Sequence, residues 1–122
     1  MILDCGPCSL HRYTAQDFVI LVDGERAGMV RIGAGLECEV GFEIDPAYRR
    51  RGIATAAVRA VTEAVLGAGV VKRIVAKVSS ENDPSIRVME KCGYTLEGVS
   101  NGLMVFARTT YGGPIEAATL ST

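Results

Sequence analysis

No apolar run in the chain approaches the ~18 residues of a membrane span, and the first residues, with Asp4 close to Met1, lack a basic start leading into an apolar stretch. Neither an anchor nor a leader is expected, and the simplest placement is cytoplasmic. No sign of charge dominates: thirteen basic side chains meet fourteen acidic ones, for a net charge of -1. That balance gives no support for a nucleic-acid partner. Repeats and low-complexity tracts are missing too: apart from the adjacent Gly112-Gly113, the fourteen glycines sit singly, many at plausible turns. Nucleotide signatures of the common kinds are absent: Gly33-Ala34-Gly35 and Gly67-Ala68-Gly69 lack the third glycine of a dinucleotide fingerprint, and no Gly-x4-Gly-Lys-Ser/Thr occurs. The lone histidine, His11, supports no assignment by itself. What remains is a 122-residue chain with 48% apolar residues, enough for one compact domain. That domain is set at residues 1–111, followed by a patternless tail, 112–122, expected to be mobile.

Phe18 to Val22 and Ala27 to Ile32 flank Asp23-Gly24 and predict a hairpin. A third strand, Glu39 to Ile44, stops at Asp45-Pro46. Val40, Phe42 and Ile44 share one of its faces, and Glu39, Gly41 and Glu43 the other. Ala54, Ala57, Val58, Val61, Val65 and Ala68 then recur at helical spacing. Val70 to Val78 is a dense β-branched run, as expected of a strand covered on both faces. Asp83 before Pro84 suggests an N-cap, and Gly93 the stop of a short helix from Pro84 to Cys92. Tyr94 to Glu97 and Leu103 to Arg108 close the series. The expected class is α+β, a mixed sheet with two main helices.

The run Asp45-Pro46-Ala47-Tyr48-Arg49-Arg50-Arg51-Gly52-Ile53-Ala54-Thr55 places three arginines and a glycine where the long helix begins. A helix start offers N–H groups without intrahelical partners and the positive end of the peptide dipoles, and glycine lets an anion approach the main chain. The expected ligand carries a pyrophosphate. About thirty residues on, past a β-rich run, comes a second block, Asn82-Asp83-Pro84-Ser85-Ile86-Arg87-Val88-Met89-Glu90-Lys91-Cys92-Gly93-Tyr94.

Together the two blocks resemble the GNAT superfamily of acyl-CoA-dependent N-acyltransferases. Arg49-Arg50-Arg51-Gly52-Ile53-Ala54 is similar to its Arg/Gln-x-x-Gly-x-Gly/Ala phosphate loop, and the second block to its Asn-x-x-Ser/Ala…Glu-Lys-x-Gly-Phe/Tyr segment. Cys38-Glu39-Val40-Gly41-Phe42 and the Asn-x-x-Ser form look most like the branch with ribosomal-protein alanine N-acetyltransferases. The resemblance covers roughly residues 18 to 108. It implies a GNAT fold that binds acetyl-CoA and an amine acceptor and needs no metal.

Residue by residue, the resemblance implies that the main chain from Arg50 to Thr55 (Arg50, Arg51, Gly52, Ile53, Ala54, Thr55), aided by the arginine side chains including Arg49, holds the CoA pyrophosphate. The main chain near Phe42 and Ile44 would pair with the pantetheine amides. Asn82 would contact the pantetheine arm. A backbone N–H around Val40 to Phe42 would stabilise the oxyanion. Glu39 matches the position that supplies the general base in several members and is the first candidate, with Glu43 second. An α-amine near pKa ~8 costs only ~1.4 kcal/mol to deprotonate at pH 7, against ~4.6 kcal/mol for a lysine amine near ~10.4. A single carboxylate working through water therefore suits the weaker base better. Many members carry a tyrosine where this chain has Met89, which leaves Ser85 as first candidate for protonating the thiolate and Tyr94 as another. Family members usually carry a strand and two helices before the hairpin, but only seventeen residues precede Phe18 here. The acceptor groove is then expected to be open or completed by a second subunit, so a homodimer is expected.

Blander readings compete. Three arginines can be a solvated cluster, Glu39 and Glu43 the wet face of a strand, and Asn82 a turn former. Cys5-Gly6-Pro7-Cys8 has the spacing of a thioredoxin-like site, which needs a preceding strand and a following helix. With His11 it could begin a zinc site, for which Cys38 or Cys92 would have to supply a fourth ligand. Cys38 and Cys92 otherwise read as buried thiols. A protein that binds CoA without turnover is the main functional rival.

Overall fold

The computed structural model describes residues 2–33 and 37–110. The proposed tail, 112–122, and positions 34 and 35 of the first glycine pair lie outside the described residues. In chain order the elements are β1 (Ile2–Asp4), β2 (Ser9–Arg12), β3 (Asp17–Val22), β4 (Glu25–Ile32), β5 (Glu37–Ile44), a 3-10 turn (Pro46–Tyr48), α1 (Ile53–Gly67), β6 (Arg73–Ser79), α2 (Asp83–Lys91), β7 (Thr95–Ser100) and β8 (Leu103–Thr109). The strands form one sheet in the order β1-β2-β3-β4-β5-β6-β8-β7. Every neighbouring pair is antiparallel except β5 and β6, which α1 joins as a parallel crossover. The α+β class with two main helices is as expected.

From Phe18 onward the expected order of elements holds, and two strands come before it. The Cys-Gly-Pro-Cys motif is the turn between them: Gly6 takes φ 93°, and the Cys5 N–H donates to the Cys8 carbonyl at 3.0 Å. Glycine and proline serve hairpin geometry there, and no helix follows. Burial pushes the Cys5 thiol up to about 12 and raises Cys8 as well, the reverse of what a reactive thiolate needs. The described residues hold no group of three or more His, Cys, Asp or Glu side chains placed to share a metal ion.

Asp23 and Gly24 both take positive φ, which gives the β3–β4 hairpin the turn that matches strand twist. At β6, Ile74, Val75 and Ala76 are buried in succession, so both faces are covered. That strand begins at Arg73 and not at Val70, because Gly69 turns the chain at φ 83° and Val70 stays 65% exposed. Asn101 and Gly102 form a second positive-φ turn, and with the irregularity between Leu96 and Gly98 they let β7 run to Ser100.

The core joins Leu10, Ile20 and Val30 of the sheet to Val58 and Val61 of α1 and Met89 of α2. Thr62 is fully buried there and meets the Tyr94 hydroxyl at 2.6 Å. Burial lifts the Tyr94 phenol from 10.0 to about 12. A folded-state pKa above the unfolded one adds stability below the unfolded value, and that stability is lost as pH rises through the folded value. Denaturant stability should therefore fall between pH 10 and about 12, and a Tyr94→Phe protein should show a shallower fall in urea titrations across that window. Equal slopes would mean that Tyr94 contributes nothing to it.

Candidate active site

β5 and β6 pair only from Glu37–Arg73 to Glu39–Val75, although β5 continues to Ile44 and β6 to Ser79. Past Glu39 the strands part and open a wedge in the middle of the sheet. Arg73 fastens its closed end, donating to Glu37 on β5 at 2.8 Å and to Glu97 on β7. On the other side β5 stays paired with β4 as far as Ile44. The Glu39 carbonyl accepts from the Gly33 N–H on that side, so strand alternation turns the peptide groups of Phe42 and Ile44 toward the wedge. The Ile44 carbonyl is met there by the Arg49 guanidinium at 3.0 Å. The main chain of Phe42 lies beyond the last β5–β6 pair among the described residues, on the strand edge that a pantetheine arm can use.

The loop after the wedge ends in a cradle. Arg50 and Gly52 take positive φ, 62° and 75°, in the kind of turn that forms anion-binding concavities. Helical bonding begins with the Ala56 N–H on the Gly52 carbonyl, and the six N–H groups of Arg50 to Thr55 have no acceptor among the described residues. The two helices contrast at this point. α2 is capped by Asn82, whose Oδ1 accepts from the Ser85 N–H at 3.2 Å, and carries Asp83 in its first turn. α1 has no side-chain cap and no acid in its first turn. Its positive end is left open for an anion from outside.

A groove of about 880 Å³ connects wedge and cradle. Phe42, Ile44, Arg49, Arg50, Gly52, Ile53, Ala54, Thr55, Asn82, Glu43 and Ser85 line it, so the structure brings together most of the residues singled out from the sequence. Arg51 is not among them; its guanidinium lies 5.3 Å from the centre of the Tyr48 ring. Asn82, and not Asp83, is the N-cap, so its turn-forming role is real, and it also faces the groove. Glu39 is exposed outside the groove, 3.8 Å from Lys77. Glu43 lines both this groove and a shallower pocket with Met29, Arg31 and Gly41, which Phe42 also reaches. Met89 is fully buried, and the Tyr94 hydroxyl is occupied by Thr62 away from the groove. Two lining cations were missed by the sequence reading: Arg87 and Lys91 on α2. Their i, i+4 spacing was the available signal.

The acetyltransferase (GNAT) family matches residues 4–94. A curated relative, spermidine N(1)-acetyltransferase of Escherichia coli (strain K12), is 27% identical over 73% of this chain and 50% of its own length. This chain spans about a third to a half of the curated relatives it matches. Among solved structures, an acetyltransferase (GNAT family) from Bacillus anthracis superposes with a TM-score of 0.81 at 18% identity, covering 91% of this chain and 99% of that one. Mycobacterium smegmatis RimJ, in complex with CoA-disulfide, gives 0.71 at 29% identity over 81% of this chain and 56% of its own.

Proposed function

This chain belongs to the acetyltransferase (GNAT) family, and from that premise we propose that it moves an acetyl group from acetyl-CoA to a primary amine by direct attack in a ternary complex. The observation that carries the reading is the uncapped α1 start, whose six N–H groups have no acceptor among the described residues and which opens onto the groove. A diphosphate fits there because the site offers donors and positive charge and no competing acid in the first turn. The bound donor supplies the activated thioester. The protein's part is to orient and to move protons: the Phe42 N–H faces the wedge where the acyl oxygen would accept it, and Asn82 and the strand edge at Phe42 and Ile44 align the arm. The name of the curated relative given above, a spermidine N(1)-acetyltransferase, supports an amine as acceptor. We place the enzyme in the cytoplasm as a homodimer whose second copy covers the acceptor side. A monomeric mass by light scattering would contradict the dimer.

For the base we favour Glu43 over Glu39, because Glu43 reaches both grooves while Glu39 stands beside Lys77 outside them. Glu43→Gln should lower kcat by roughly a hundredfold at pH 7 with little change in KM for acetyl-CoA. Glu39→Gln should stay within about threefold, because its carboxylate sits away from the groove. The reverse ranking would return the role to Glu39. Ser85 takes the acid role, and a fully active Ser85→Ala protein would remove it.

Thiol release from acetyl-CoA across a panel of α-amines, polyamines and aminoglycosides tests the activity, with mass spectrometry of products formed in cell extract to find the acceptor. CoA affinity without thiol release would instead favour a CoA-binding regulatory module.

A further inference from the structure

The basic side chains of this protein divide by whether they have an acidic partner. Arg26, Arg31, Arg73 and Lys77 are in ion pairs. Of the thirteen basic side chains, the other nine are in none among the described residues, and four of those nine, Arg49, Arg50, Arg87 and Lys91, line the groove. Glu43 is the one carboxylate facing these four cations in the groove lining. Four cations against one carboxylate make the groove locally positive in a chain whose net charge is -1.

The cations come in two sets. Arg49 and Arg50 sit in the loop that forms the cradle. Arg87 and Lys91 are one turn apart on an exposed face of α2. The end of that helix is tied to the start of α1: Arg59 donates to the Lys91 carbonyl at 2.8 Å, and the Cys92 thiol to the Thr55 carbonyl at 3.4 Å. The second pair thus stands beside the cradle, on a separate element with its own charge. The cradle already has six N–H groups for a diphosphate, so the α2 pair is in excess of what a diphosphate requires.

We propose that Arg87 and Lys91 recognise a second phosphate of the donor, the 3′-phosphate on its adenosine, so that the protein distinguishes CoA from 3′-dephospho-CoA. A phosphate monoester is nearly doubly charged at neutral pH. Two cations at helical spacing can share its oxygens through charge-assisted hydrogen bonds. This rests on the reading of the groove as a CoA site.

The test is calorimetric titration of CoA and of 3′-dephospho-CoA into the wild-type protein and into an Arg87→Gln/Lys91→Gln double variant. Glutamine keeps the helix propensity of these exposed positions and removes their charge, and melting curves confirm the fold. The wild type should bind CoA about tenfold more tightly than the dephospho form. In the double variant that preference should shrink to within about twofold, because CoA loses affinity and the dephospho form has no 3′-phosphate to lose. Rising potassium chloride should narrow the wild-type preference. Equal binding of the two ligands by the wild type, or a preference that survives the double substitution, overturns the assignment and leaves the CoA site standing. Failure of the wild type to bind either ligand removes both.

Discussion

Replacing Gly52 with aspartate is expected to weaken CoA binding by roughly a hundredfold, about 2.7 kcal/mol, while the melting temperature moves by only a few degrees. The two effects separate because they have different origins. A carboxylate at Gly52, the residue just before α1, is favourable to the positive end of the helix, which has neither a side-chain cap nor a first-turn acid. The same carboxylate occupies the place an incoming diphosphate needs and repels it. Gly52 holds φ 75°, a conformation that aspartate tolerates better than most residues. The companion Gly52→Asn has the same size and no charge, so it isolates strain and bulk from repulsion. If Asp and Asn weaken binding equally, charge is not the cause. If neither does, the cradle does not hold the anion.

Gly28→Ala should have the largest effect on stability. A Cβ at Gly28 would lie 2.2 Å from the Glu43 carbonyl oxygen and 3.0 Å from the Ile44 Cα, both main-chain atoms of β5. No side-chain rotation relieves that contact, so β4 and β5 must separate. Such overpacking costs roughly 1–3 kcal/mol, a fall in melting temperature of roughly 5–10 °C for a chain of this size. The displaced atoms belong to β5, whose neighbouring Phe42 and Ile44 peptide groups face the wedge, so kcat should fall with stability. Gly98→Ala is the control, since nothing lies within 4 Å of a Cβ built there. A Gly28→Ala protein that melts like the wild type would mean that β4 and β5 are not held in this register.

The cradle was legible in the sequence because its signals are local: a glycine and arginines at a helix start act on neighbouring peptide groups. Strand β5 was legible for the same reason, since the alternation of Val40 and Phe42 with Glu39 and Glu43 is a period of two. The wedge was not, because it depends on where β5 stops pairing with β6, and the Arg73 ties to Glu37 and Glu97 join positions far apart in the chain. The reserve of unpaired cations was hidden too: Arg87 looks like any surface arginine until the ion pairs of Arg31 and Arg73 are known. For Asn82 the sequence leaves turn former and ligand contact as alternatives, whereas the residue caps α2 through Oδ1 and also lines the groove. Gly28 carried no signal, because its constraint comes from the opposite strand.

The most direct measurement is an amide-resolved NMR titration of the labelled protein with CoA. The largest shift changes should fall on the N–H groups of Arg50 to Thr55 and on Phe42, with those of β1 and β2 barely moving. Saturable binding whose shifts cluster elsewhere, or no saturable shifts at millimolar CoA, would contradict the account.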